Sequence, residues 1–336
     1  MFDETFRRAR LFTVLIFNVM KNLWVYLGLI SLSALGFSSC QQSANGSTNE
    51  PSGMQKSVEA FSPGTEWNNY WYSGKAELTS YTLQQSRYGE IHAGTAVNIF
   101  VTEDFSKSKH VKLDDPSKAG ADKLPVLKMN QSIKFNTGIY PYSIMLSSFQ
   151  PVDVNQFPHA VKISGTVQEW CGMAYYQLDQ RDEKYQVEVR SYFESEGDKE
   201  LSLPATVQED ALWNMIRIAP ANLPTGEQMI LPGATYLRLS HKPVEAVKSQ
   251  LTLQIIDGVQ VYTIKMPSLN RELKIRFESA FPYRILGWED TYPGFDGVSL
   301  TTTAVRNKEM IIDYWRTHNN ADRVLREQLG LPKDTQ

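Results

Sequence analysis

From Tyr72 to Ile312 the commonest spacing of apolar residues along the chain is two. Tyr185, Val187 and Val189 alternate with Gln186, Glu188 and Arg190, and Leu273, Ile275 and Phe277 alternate with Lys274, Arg276 and Glu278. Successive side chains of a strand point to opposite faces, so this pattern predicts half-buried antiparallel strands. Turn residues fall between the runs. Asp257-Gly258 separates SQLTLQII from VQVYTIKM, and both residues tolerate positive φ, the strongest short hairpin signal. Gly197-Asp198, Ser73-Gly74 and the charged run Asp179–Lys184 mark further breaks. Strands at roughly 8–12-residue spacing predict a mainly β, antiparallel fold, a meandering barrel or sandwich.

Two segments switch to a helical period. After Thr206, Leu212, Trp213 and Ile216 share a face until Pro220, and Thr206 with Glu209 has the spacing of a capping box. From Asn320 to Leu329, Val324, Leu325 and Leu329 form a stripe that Gly330 and Pro332 close. The expected plan has a mid-chain helix and a C-terminal helix whose stripe lies against a sheet. Its parts are an N-terminal β unit over 63–205, a connecting helix and loop over 206–224, and a C-terminal β unit over 225–336. The run Ile133-Lys134-Phe135…Tyr140-Pro141-Tyr142-Ser143-Ile144 is echoed by Ile275-Arg276-Phe277…Phe281-Pro282-Tyr283-Arg284-Ile285. A duplicated half and coincidence on few positions both account for the echo. Trp67, Tyr70, Trp71 and Tyr72 open the globular part and read as core and strand-edge packing.

The first 62 residues follow other rules. Met20-Lys21 precedes an apolar run from Leu23 to Phe37, then Ser38, Ser39 and Cys40, which is the order of a secretory signal. A cysteine directly after small residues resembles the site where bacterial lipoproteins are cut and lipidated, with Phe37 where Leu is usual. Cys40 is then the lipidated residue and 1–39 the signal peptide. Leu11–Phe37 read as one uncleaved span is the alternative, but it would place Lys21 in the bilayer, so Met20 is the preferred start. Residues 40–62 are polar and rich in Ser, Asn and Gly, the composition of a flexible tether reaching roughly 25 Å. Gln41 and Gln42, with no acidic run behind Cys40, resemble the sorting pattern of outer-membrane lipoproteins that face the periplasm.

The 336-residue chain has a formal charge of −3 and two cysteines. No basic stripe points to nucleic acid. With Cys40 carrying lipid, Cys171 has no intrachain disulfide partner, and the fold relies on its core.

The segments YWYSGKAELTSYTLQQSRYGE, GIYPYSIM, VQEWCG, LWNMIRIAPANLPTG and DYWR resemble a group of Gram-negative envelope lipoproteins over nearly the whole mature chain. Members often carry the label septum formation inhibitor Maf. True Maf proteins are cytoplasmic nucleotide pyrophosphatases that grip phosphate with a Ser-x-Ser-Pro-Arg-Arg segment, which is missing here. The resemblance therefore implies location and fold, an antiparallel curved sheet or half-barrel with a helix against its concave side, more than chemistry.

Chemistry-bearing residues are sparse. The histidines at 92, 110, 159, 241 and 318 make no zinc-binding spacing, and no phosphate loop, serine elbow or cofactor motif occurs. Cys171 is a candidate nucleophile with His159 as its partner, weighed against a small core side chain. Glu289, Asp290 and Asp296 bring acids together in one loop, against the plainer reading of a solvated turn. The function expected is a non-catalytic binding or structural module of the envelope. Its membrane partner is reached through the N-terminal lipid, and its ligand is an apolar molecule, a lipid or an envelope protein. Tyr142, Ile144, Tyr283 and Ile285 are the expected cavity lining, with a packed core as the competing reading. A hydrolase using Cys171 or dispersed acids is the alternative.

Overall fold

The strand period and the turn residues dominate the computed structural model, which describes residues 60–333. The signal sequence, Cys40 and all but the end of the tether lie outside the described residues. The first element is a helix, α1 (Thr65–Trp71), not the strand edge expected of its aromatic residues. Trp67 and Trp71, one helical turn apart, are both buried, whereas Tyr72 just beyond is exposed.

A meander follows: β1 (Ala76–Arg87), β2 (Glu90–Ser106), the short β3 (Val111–Lys112), β4 (Lys123–Thr137), β5 (Tyr140–Pro151), β6 (Lys162–Glu169), β7 (Gly172–Arg181), β8 (Lys184–Arg190) and β9 (Lys199–Pro204). Two residues later β10 (Val207–Gln208) runs straight into α2 (Glu209–Ile218). Then come β11 (Gly226–Leu231), α3 (Ala234–Leu239), β12 (Val247–Ile256), β13 (Val259–Met266), β14 (Arg271–Glu278), β15 (Ile285–Pro293), β16 (Ser299–Ile312) and the C-terminal α4 (Val324–Gln328). Asp257-Gly258 forms the tight hairpin its sequence specifies, with φ of 50° and 80° between the paired Ile256 and Val259.

All 16 strands belong to one open, mixed sheet. β1 lies in its middle, the meander runs out to β9 on one side, and β10 starts the other edge, from which β11–β16 return to pair with β1. Only the β10–β11 pair is parallel. The two expected β units are thus joined edge to edge as one surface. The echoed segments both form hairpins, but with different registers. Phe135 faces Tyr142, whereas Phe277 faces Ile285 across a bulge and leaves Tyr283 in the turn at positive φ.

The inner face of this sheet is filled by α2, all ten of whose residues are buried. Asn214 donates to the Leu127 carbonyl of β4, and Trp213 meets Trp288 of β15 edge-to-face. Capping differs from expectation. Gln208 is the N-cap without a side-chain capping bond, Thr206 Oγ1 donates to the Met229 carbonyl, and Glu209 is taken by Arg271. Thr206 lies ahead of the paired Val207 and Gln208, two residues before the N-cap, and its side chain is spent on Met229.

Arg217 carries the deepest charge. Its guanidinium forks onto Glu77 of β1 at 2.5 and 2.7 Å, donates through Nε to the Pro282 carbonyl, and lies over the Trp71 and Phe100 rings. Tyr70 donates its hydroxyl to the same carboxylate. Burial opposes the charge on Glu77, but Arg217 and Tyr70 outweigh it and hold the carboxyl below its ordinary range.

The C-terminal helix lies on the opposite, outer face. Leu329 and Leu331 cover Ala76, Leu78, Val101 and Met310, which explains why the first half of β1 is buried on both faces. Of the expected stripe, Leu329 is buried but Val324 is exposed. The single 3-10 turn that leads into it, Asn320–Arg323, starts with a capping box formed by Asn319 and Asp322.

A bidentate ion pair with both partners buried is strongly destabilising to break on one side, by roughly 3–5 kcal/mol. Glu77→Gln should therefore lower the urea midpoint by that order, and Glu77→Met with Arg217→Met together should restore most of it. Equal loss in the single and double variants would refute this account.

Candidate functional site: an aromatic collar at one end of the sheet

In an antiparallel meander alternate turns share one end. Here the β1–β2, β4–β5, β6–β7, β8–β9 and β15–β16 connections all lie at the end where α3 and its following loop cross the inner face. Each carries large apolar side chains in the open: Tyr88, Ile139, Trp170, Tyr192, Phe295 and Val298 are all exposed. Isolated surface hydrophobics are ordinary, but a connected set is not.

These rings are connected. Trp170 lies 6.3 Å from Tyr140, and Tyr140 lies 5.9 Å from Tyr142. The hydroxyls of Tyr142 and Tyr88 are 2.8 Å apart, and Tyr88 stacks on Phe295 at 6.4 Å. Phe295 is 5.5 Å from His241, His241 is 5.1 Å from Phe193, and Phe193 is 5.4 Å from Tyr192. Tyr192 covers Gly172 so closely that a Cβ there would meet its ring at 2.9 Å, which brings it to the turn that carries Trp170. The result is a collar of π faces around one rim.

The collar is braced from inside. Glu196 accepts from Ser191 and meets His241 and Arg238, so the β8–β9 loop is tied to the end of α3. Burial works against the charge on Glu196, but these partners outweigh it and its carboxyl sits below the usual range. Beside the collar, between α3 and strands β6–β8, is a cleft of about 70 Å³. Val167, Ala174, Tyr176, Leu237 and Val244 line it, with Lys199, Arg238, Lys242 and the Glu196 carboxylate also on its wall.

Beneath α3 is a layer of buried charge. Arg271 of β14 forks onto Glu209 at 2.6 and 2.8 Å and onto Asp290 at 2.8 and 2.9 Å, with Tyr236 against its guanidinium. Asp210 Oδ2 accepts the Ala234 N–H at 2.9 Å, so one helix's first turn caps the next. Gly233 is required there, because a Cβ would stand 2.6 Å from Glu209 Oε1. Burial and the neighbouring Glu209 push the Asp210 carboxyl up to about 7.

The residues expected to line a cavity are placed otherwise. Tyr142, Ile144 and Ile285 are buried in the main core and Tyr283 is half-buried against it. None of the four lines the cleft, because α2 occupies the space they face. Tyr142 alone reaches the collar. Cys171 and His159 are not brought together. Cys171 is exposed in the β6–β7 turn and His159 precedes β6, so the length of that strand, roughly 25 Å, separates them. The Glu169 carboxylate beside Cys171 raises its thiol, the wrong direction for a nucleophile. The three acids are likewise apart: Asp290 faces inward to Arg271, Glu289 lies near Arg276, and Asp296 is in the β15–β16 turn. Among the described residues no group of His, Cys, Asp and Glu is arranged to hold a metal ion.

Asp210 gives a pH signature. An unfolded Asp titrates near about 3.9, so between about 4 and 7 the folded protein holds a proton that the unfolded chain has released. Stability contributed by this site therefore falls as pH rises through that window. Asp210→Asn keeps an acceptor for Ala234 and should gain on wild type by on the order of 2–3 kcal/mol between pH 5 and pH 8. Urea unfolding at both values checks it; a difference that does not change with pH would overturn the assignment.

No family model matches the chain and no curated protein matches it, so the functional reading rests on this geometry.

Proposed function

We propose that the protein is a lipid-anchored envelope lipoprotein, held through Cys40 at the outer membrane on the periplasmic side. It acts as a non-catalytic binding module for an amphiphile with a slender apolar end. The observation that carries this reading is the run of aromatic contacts, exposed or half-exposed except at Tyr142, beside a cleft whose wall is apolar with three cations and the Glu196 carboxylate. Aromatic rings suit a boundary where one end is apolar and the other wet. The label septum formation inhibitor Maf belongs to this reading by name only.

The cleft's size decides the form of ligand. Pockets that enclose a small molecule run to roughly 300–1,000 Å³, well above the cleft's volume of about 70 Å³. The site as it stands takes the end of a chain or one apolar side chain, with the remainder on the collar. No helix among the described residues is long and apolar enough to cross a membrane, and the proposed attachment is the N-terminal lipid alone. The raised thiol of Cys171 and its distance from His159 weigh against the hydrolase alternative.

A fluorescent fatty acid titrated against the full chain tests this reading. Saturable binding is expected, lost on Ala174→Trp, which fills the cleft, and weakened about tenfold by Trp170→Ser with Phe295→Ser. The two collar residues are exposed, so their replacement should move stability by no more than about 0.5 kcal/mol each. Binding that all these variants leave intact sinks the proposal.

A further inference from the structure

On the other side of α3 from the cleft lies a second, larger cavity of about 270 Å³, between the β1–β2 turn, the end of α3 and the β15–β16 turn. Arg87, Tyr88, Ser240, Lys242, Tyr292 and Phe295 are among its walls. Arg87 is 9 % exposed, the same class of burial as Arg217 and Arg271. Those two each fork onto carboxylates. Arg87 pairs with no carboxylate among the described residues. It donates to the Leu239 carbonyl and, at 3.3 and 3.4 Å, to the Tyr88 and Tyr142 hydroxyls. Its remaining neighbours are π faces: Tyr88 at 4.3 Å, and Tyr142 and Phe295 at 5.5 Å.

Two buried polar atoms belonging to these walls have no hydrogen-bond partner, Arg87 Nε and Ser240 Oγ. A buried guanidinium left without a counter-charge is unfavourable, and unused donors beside it add to that. Asp296 brings a negative charge to the edge: its Oδ1 accepts the Val298 N–H in its own turn and its Oδ2 lies toward Gly89, but it forms no ion pair with Arg87. Lys242 adds a second cation on an exposed loop.

We propose that this cavity is an oxyanion site that takes a phosphate group. Arg87 supplies the buried charge, Ser240 a hydroxyl donor and Lys242 the outer cation, while Tyr88 and Phe295 flank what the phosphate is attached to. Arginine's planar fork suits phosphate, and the aromatic faces hold that fork in place while leaving its charge unneutralised. The cavity does not share the apolar cleft, and this inference stands independently of the amphiphile reading.

Calorimetric titration of the full chain with inorganic phosphate, and separately with water-soluble dihexanoyl phosphatidylglycerol, tests it. Saturable binding of phosphate assigns a small free ligand, and binding of the phosphatidylglycerol alone assigns a lipid headgroup. In either case Arg87→Gln should weaken binding at least tenfold. In phosphate-free buffer it should melt no earlier than wild type, because an unpaired buried charge has been removed. Ala174→Trp, which fills the cleft, should leave this binding unchanged. Should Arg87→Gln fail to fold, Lys242→Gln and Ser240→Ala carry the test, with several-fold weakening expected in each. Absence of binding to both probes, or affinity that none of these variants alters, overturns the proposal.

Discussion

A helix enclosed by a sheet has no face to turn toward water, and α2 depends on one solution to that constraint. Its sequence EDALWNMIRI is not wholly apolar: Glu209, Asp210, Asn214 and Arg217 are buried with the rest. Each is answered by a partner on a different part of the structure. Arg217 is answered by Glu77 in the centre of the sheet, Glu209 by Arg271 on β14, Asn214 by the β4 backbone and Asp210 by the start of α3. A buried charge without its partner is costly, so these bonds fix where the helix sits along the sheet as well as how deeply. Apolar packing alone, through Leu212, Trp213 and Ile216, would tolerate sliding; directed bonds at both ends do not.

The same bonds position the candidate site. Because Asp210 caps α3, the short helix is held over the inner face. The end of α3 then meets the β8–β9 loop through Glu196. The collar is therefore assembled on a braced platform, and its rings come from turns far apart in sequence. Only the meander's alternation puts those turns at one end.

The buried cations differ in what surrounds them. Arg217 and Arg271 are neutralised by carboxylates within the fold, and their environments favour the charged form despite burial. Arg87 is surrounded by rings and neutral oxygens, and the Tyr142 and Tyr88 hydroxyls favour its charged form despite burial as well. Lining two sides of α3, Lys242 belongs to both the cleft and the larger cavity, and the loop after α3 is where the two sites come nearest each other.

What the sequence determined by itself is the strand-rich character, the tight turns and the two helices flagged by period. These depend on local alternation and on residues such as Asp257-Gly258, whose preference is set by their own backbone. Leu273, Ile275 and Phe277 are inward as their period required. Local rules failed where a long-range partner outweighed them. Thr206 has capping-box spacing, yet Val207 and Gln208 pair with β11, the helix starts after Gln208, and Thr206 bonds to Met229 instead. Trp67 and Trp71 are core, as their neighbourhood reads, but on a helix and not at a strand edge. The tertiary structure alone decided that α2 fills the space expected of a cavity, leaving Tyr142, Ile144 and Ile285 as core. It also decided that Cys171 and His159 stand at opposite ends of one strand, and that Arg87 is buried without a carboxylate. Each of these rests on which strands are neighbours, and a meander's closing partner, β16 beside β1 across more than 200 residues of sequence, leaves no mark in any local window.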